Sequence, residues 1–322
     1  MQITLQPIPA LGIVSAPGKI TWCGTMVRSA DGRCHLMLSV WPEARGFDGW
    51  LYHSEIGYAV AEHPDAEYRF QGVVFSGDPS PEAWDHAMVH NPWIIQHDGR
   101  FYMYYTGNTG DGTFPSHRYN QRVGLAVAER PGGPWRRLGQ PLAPATPGSW
   151  DELVSCNPSV CRMADGRFIM LYRACSRPDN PVHHGDIVLG VAFAERPEGP
   201  FVRHPEPIFR REGQPFAAED PGVFSWGGRL YAAFKDMGRN YHDRERSLML
   251  AESADGKDWR IIQPLCTRDL PFADTAPREQ FRVERPFVYM ENDQPRQLFV
   301  AVRPEREAQR AFSVHTGIDI QP

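Results

Sequence analysis

Five stretches of this chain repeat one pattern at a nearly constant interval. They are CGTMVRSADGRCHLMLSV from Cys23, HNPWIIQHDGRFYMYYTG from His90, CNPSVCRMADGRFIMLYRA from Cys156, EDPGVFSWGGRLYAAFKD from Glu219 and ERPFVYMENDQPRQLFVAV from Glu284. Aligned on their second positions, Gly24, Asn91, Asn157, Asp220 and Arg285, they lie 67, 66, 63 and 65 residues apart. A period of this length constrains a fold more than any single motif, because each unit must be one supersecondary module that stacks on copies of itself.

Each unit reads as strands. An apolar run enters a turn at Asp31-Gly32, Asp98-Gly99, Asp165-Gly166 or Gly227-Gly228. These dipeptides supply the positive φ of a tight hairpin. A second strand follows, such as Phe101-Tyr102-Met103-Tyr104-Tyr105. A third comes after a loop of variable length: IGYAVAEHP from Ile56, VGLAVAERPGGPW from Val123, LGVAFAERPEGPF from Leu189 and LMLAESADGKDW from Leu248. The Pro-Gly-Gly-Pro and Pro-Glu-Gly-Pro endings mark turns into a fourth, outer strand. No long amphipathic helix separates the units, which argues against a βαβ sheet or a TIM barrel. Antiparallel modules of three or four strands at this spacing are propeller blades. The expected fold is all-β: one five-bladed β-propeller domain over residues 1–322. A strand near Ile3-Thr4-Leu5 is expected to close the ring against the last blade, with the segment AFSVHTGIDI supplying that blade's inner neighbours.

In such a ring the first strand of every blade lines the axis. Residues at the first-strand starts and second-strand ends therefore converge on one face. The starts carry Cys23-Gly24, His90-Asn91, Cys156-Asn157, Glu219-Asp220 and Glu284-Arg285. The second-strand ends carry Ser39, Thr106, Arg173, Lys235 with Asp236, and Arg303. So many polar groups at one mouth need partners or a purpose. Carboxylates across a pocket are what glycosidic cleavage requires, one donating a proton and the other activating water or attacking carbon. Glu219, Asp220 and Glu284 are the candidates, with Asp220 (or Glu219) and Glu284 expected as the acid/base pair. Adjacent strand residues point to opposite sides, so Glu219 and Asp220 share the axis only if the strand starts irregularly. His90 is a further acid, base or donor. Asn91, Asn157, Arg173, Lys235 and Arg285 are candidates for holding hydroxyls or an anion, and Trp22 for stacking a sugar ring.

Several features have plainer readings. Asn-Pro at a strand start also caps turns, and Glu284-Arg285 also reads as a local ion pair. Trp84-Asp85 and Trp150-Asp151 recur six residues before the blade asparagine, where they brace the entering loop. Glu55 begins a third strand and reaches the pocket only from its rim. His183-His184 sits in a long loop, expected in solvent. Trp41, Trp50 and Trp93 pack between blades by default or stack a sugar.

Composition removes other functions. With 34 Lys+Arg against 39 Asp+Glu the formal net charge is −5, and there is no basic run, so nucleic acid is not the expected partner. No run approaches a membrane span. The six cysteines form no CxxC pair or zinc spacing, and the first residues lack a secretory pattern. Reduced thiols in the cytoplasm are the expectation. No cofactor or metal is called for. An axial calcium is compatible with the architecture, but no oxygen-ligand motif demands it. The sequence sets no oligomeric state.

The repeated (D/N)P, apolar run, DG(R/K) and aromatic strand resemble the five-bladed β-propeller glycoside hydrolases, families 43, 32, 62 and 117 among them. AVAERPGGPW and AFAERPEGPF are similar to phrases of families 43 and 117. HNPWIIQHDGRFYMYYTGNTGDG and AEDPGVFSWGGRLYAAFKD resemble a bacterial family-43-like or sucrase-like subgroup. The resemblance spans essentially the whole chain. It implies an exo-acting glycosidase on a small oligosaccharide or glycoside, with loops Thr109–Asn120 and Pro178–Asp186 partly closing the pocket and with inversion of the anomeric centre. It also implies a general-acid Glu corresponding to Glu219, an Asp near Asn157 and a base Asp in blade one. This chain has Gly24 flanked by Cys23 and Thr25 at that last place, so the three-carboxylate set does not carry over. Family 117 uses a histidine, which His90 resembles. Phosphorylases of the same architecture hold phosphate with cations, and a carbohydrate-binding propeller without catalysis is the other alternative.

Overall fold

The computed structural model describes residues 2–142, 145–179 and 185–321. Among these, five antiparallel sheets follow one another along the chain, each meandering from an inner strand outwards. Blade one comprises Lys19–Arg28, Cys34–Pro42, Glu55–Ala61 and Arg69–Phe75. Blade two comprises Met88–His97, Arg100–Asn108, Arg122–Ala128 and Arg136–Gly139. Blade three comprises Val154–Arg162, Phe168–Cys175, Ile187–Ala194 and Val202–Arg203. Blade four comprises Ala218–Trp226, Arg229–Asp236, Leu248–Ser253 and Arg260–Cys266. In blade five, Arg282–Glu291, Gln294–Arg303 and Phe312–Gln321 are joined by Gln2–Leu5. The architecture is a five-bladed β-propeller.

Closure differs from the expected pairing in one respect. Gln2–Leu5 pairs with Phe312–Gln321 in the register Ile3 to Ile320, as expected. Phe312–Gln321 is, however, the third strand of blade five and not an inner one, and the amino-terminal strand is its fourth. The hairpins turn where the dipeptides predict: Gly32, Gly99, Gly166 and Gly228 all have positive φ. Blade five turns on Asn292 and Asp293, both at positive φ, the side chains that best tolerate that region after glycine.

The blades pack through aromatic second strands. Tyr104, Tyr105 and Tyr172 are fully buried. The two Trp-Asp pairs brace as expected. Asp85 accepts from Tyr105 Oη at 2.7 Å and from Arg137 Nε at 2.9 Å, while Trp84 stacks on Tyr105. Asp151 accepts from Tyr172 Oη at 3.0 Å and from Arg203, and Trp150 stacks on Tyr172. Each aspartate thus ties the second strand to the outermost. The longest helix among the described residues is the six-residue Phe114–Tyr119, and none is long and apolar enough to cross a membrane.

Candidate active site

The five first strands share one irregularity, and it creates the site. Pairing with the second strand breaks between Trp22 and Thr25, His90 and Trp93, Cys156 and Ser159, Glu219 and Gly222, and Glu284 and Phe287. At each break one residue is left-handed: Cys23, Asn91, Asn157, Asp220 and Arg285 have φ of 51°, 51°, 54°, 54° and 57°. Four are followed by proline, which cannot donate to the ladder and so suits a bulge. A bulge re-aims side chains. The alternation that would send Glu219 and Asp220 to opposite sides fails here, and both line the same cavity.

The bulges also correct the alignment. Blade one's equivalent of Asn91 is Cys23, not Gly24, because Trp22 pairs with Ser39 as His90 pairs with Thr106. The counterpart of Thr106 in blade five is Ala301, which faces Glu284, whereas Arg303 faces Arg282.

The second-strand residues at these positions reach into the next blade. Ser39 Oγ accepts the Asn91 backbone N–H at 2.7 Å, and Thr106 Oγ1 accepts that of Asn157 at 2.9 Å. Arg173 Nε lies 3.2 Å from Glu219 Oε1, an ionic contact without hydrogen-bond alignment, and Lys235 donates to Glu284. Across the axis the bulge side chains form a chain. Asn91 Nδ2 donates to Asn157 Oδ1 at 2.8 Å, Asn157 Nδ2 donates to Asp220 Oδ1 at 3.0 Å, and Arg285 Nη1 stands 3.7 Å from that oxygen. The chain thus runs through two amides and one carboxylate to a guanidinium.

Above this chain lies a cavity of about 150 Å³. His90, Asn91, Asn157, Arg173, Glu219, Asp220, Glu284, Arg285 and Trp22, all candidates from the sequence, line it. Lys235 does not. It sits behind the wall, paired with Glu284 and 3.8 Å from Glu219. Trp41 and Trp50 reach the cavity, while Trp93 is core, donating from Nε1 to Val160 O. Glu55 turns away, accepting from Ser76 Oγ at 2.7 Å. His183 and His184, and much of the loop at 178–186, lie outside the described residues.

Four lining residues escaped the sequence reading: Phe47, Arg118, Gln121 and Arg282. Arg282 was legible in principle, since it lies two residues before Glu284 and so shares its strand face. Arg118 arrives on the helix Phe114–Tyr119, inside the loop expected to cover the pocket.

Electrostatics separates the three carboxylates. Burial, then neighbouring Glu219 and Glu284, push Asp220 up to about 7 against the opposing pull of Arg285. Glu284 moves the other way, because Lys235 and Arg282 outweigh its burial. Glu219 is the most exposed of the three and pairs with Arg173. Burial, with Arg285 adding to it, lowers His90 to about 3, so its imidazole is neutral. Ser54 Oγ lies 2.7 Å from its Nδ1, and Trp50 stacks on it at 4.9 Å.

Solved structures of similar shape share this frame. A family 117 glycoside hydrolase from Zobellia galactanivorans matches with a TM-score of 0.66 at 16% identity, over 99% of this chain and 90% of that one. The shared fold is that of five-bladed glycoside hydrolases. An α-L-arabinofuranosidase from Lactobacillus brevis matches with a TM-score of 0.64 at 14% identity, over 97% and 92%. The GH43_1 enzyme from Xanthomonas citri complexed with xylose matches with a TM-score of 0.64 at 17% identity, over 96% and 90%. No family model matches the chain, and no curated protein matches it by sequence.

Proposed function

We propose that this protein is a glycoside hydrolase that removes a terminal sugar unit bound in the axial cavity. The observation that carries the reading is the pair Glu219–Asp220. The left-handed bulge turns two consecutive carboxyls into one cavity, and their surroundings differ enough to divide the chemistry. A buried carboxyl raised to about 7, as Asp220 is, is suited to act as a general acid beside a second carboxylate.

Asp220 holds a proton near neutrality and is assigned to protonate the leaving glycosidic oxygen. Glu219, beside Arg173, is assigned to take the proton of a water attacking the anomeric carbon, which inverts that centre. Glu284 is tied to Lys235 and Arg282 and is assigned to positioning rather than to the acid/base pair. Neutral His90 is assigned to hydrogen bonding, Asn91 and Asn157 to orienting Asp220, and Trp22 and Trp50 to the face of the ring. A cavity of about 150 Å³ has the scale that takes one six-membered ring, which favours an exo mode. Six free cysteines support a reducing compartment.

A proton NMR time course tests this, using neutral and uronic disaccharides and aryl glycosides with and without inorganic phosphate. Cleavage without phosphate, with the inverted anomer appearing first, is the expected result. Cleavage only with phosphate replaces hydrolysis by phosphorolysis. Line broadening of a sugar with no cleavage replaces it by carbohydrate binding alone.

A further inference from the structure

The charges around the cavity do not balance. Arg118, Arg173, Arg282 and Arg285 line it and Lys235 lies behind, against Glu219, Asp220 and Glu284. Glu284 is taken by Lys235 and Arg282, and Glu219 by Arg173. Two guanidiniums are left without full partners. Arg285 is 4% exposed, yet its Nε and Nη1 have no hydrogen-bond acceptor. Arg118 has neither a hydrogen bond nor an ion pair among the described residues. Its surroundings disfavour the charge, through burial first and the nearby Arg173 second. Arg285 is buried with one ionic contact, to Asp220 at 3.7 Å, and Arg118 is half-buried; cations so weakly paired are costly, and an anion entering the cavity relieves that cost.

Other lining residues are of another kind. Trp22, Trp41, Phe47 and Trp50, all from blade one and its loop, are aromatic. The cavity therefore offers flat apolar faces together with planar donor forks suited to a carboxylate. The volume takes a single ring, so the anion belongs on that ring rather than arriving as a second molecule.

Resting on the carbohydrate reading of the same site, we propose that the sugar bound here carries a carboxylate, as the uronic acids do, and that Arg118 and Arg285 hold it while the blade-one aromatics cover the ring. Calorimetric titration with D-glucuronate, D-galacturonate, D-glucose, D-galactose and inorganic phosphate tests it, on the wild type and on Arg118→Gln and Arg118→Lys. Each uronate should bind at least about tenfold tighter than its neutral counterpart, the advantage of one charge-assisted hydrogen bond. Arg118→Gln should erase that preference and Arg118→Lys should keep part of it, with melting temperatures showing that both variants fold. Equal or tighter binding of the neutral sugars overturns the proposal. So does binding of phosphate without uronate, or no binding at all, because a site built for a carboxylate-bearing sugar must capture one. Nitrophenyl uronides and nitrophenyl glycosides separate the two readings. Uronate binding without cleavage leaves this proposal standing and removes the hydrolase. Cleavage of neutral glycosides alone does the reverse.

Discussion

Lys235 on the second strand of blade four donates to Glu284 on the first strand of blade five, and both are buried. The contact is the charged version of a tie that Ser39 and Thr106 make with hydroxyls between earlier blades. Charge is costly at such a place, so the pair holds the blades only while both members are present.

Lys235→Met should therefore destabilise the protein by about 3 kcal/mol, the cost of leaving a buried carboxylate short of a partner. Arg282 still reaches Glu284 at 3.1 Å, which keeps the loss at the lower end. Lys235→Met combined with Glu284→Gln should recover part of it. Denaturant unfolding of the single and double variants checks this. Equal losses in both would mean that the lysine contributes through packing and not through its charge.

These ties also show what a sequence can disclose about such a site. The blades were legible because each turn is written in glycine or asparagine chemistry and each second strand is aromatic. Convergence of Asn91, Asn157, Asp220 and Arg285 follows from the repeat. Their shared left-handed conformation does not, because period-two alternation describes only a regular strand. Blade one misled most, since it lacks the proline after the bulge and its cysteine looks like a core residue; only strand pairing shows that Cys23 and not Gly24 holds the position. Arg118 comes from a helix in the variable loop between second and third strands, whose sequence does not repeat from blade to blade.

Asp220→Asn should lower kcat by about two to four orders of magnitude, the usual worth of a positioned proton donor. Glu219→Gln should do the same through the attacking water. Asn keeps the amide acceptor for Asn157 Nδ2, so the melting temperature at neutral pH should not fall. Steady-state rates on an activated aryl glycoside, compared with a natural glycoside, check the assignment. Loss of the acid should be smaller for the activated leaving group, which needs little protonation. An equal loss on both substrates would remove Asp220 from the acid role.

Trp50→Ala should act on binding. Trp50 stacks on His90 and faces the cavity, and an aromatic contact of this kind is worth about 1 kcal/mol beyond area. KM should rise about five- to tenfold with kcat less affected. If kcat falls and KM does not, Trp50 instead serves the orientation of His90.

Asp220 and His90 make opposite demands on pH. Asp220 is raised from its ordinary 3.8 to about 7, so between these values the folded protein holds a proton that the unfolded chain releases. Its contribution is present below about pH 4 and is lost as pH rises through 7. His90 is lowered from 6.5 to about 3. There the unfolded chain takes the proton and the folded one does not, so its contribution is present above 6.5 and is lost as pH falls. Between about pH 4 and 6.5 the two slopes oppose, and wild-type stability should change little on their account. Asp220→Asn should leave the histidine slope, with stability rising with pH across that window. His90→Asn should leave the carboxyl slope, with stability falling with pH relative to the wild type. Other buried histidines, such as His315, contribute equally to all three proteins. Denaturant unfolding at pH 4.5, 5.5 and 6.5 decides the matter. Parallel profiles for the two variants would mean that neither group is held away from its ordinary protonation in the folded protein, and the assignment of Asp220 as the neutral acid would fail with them.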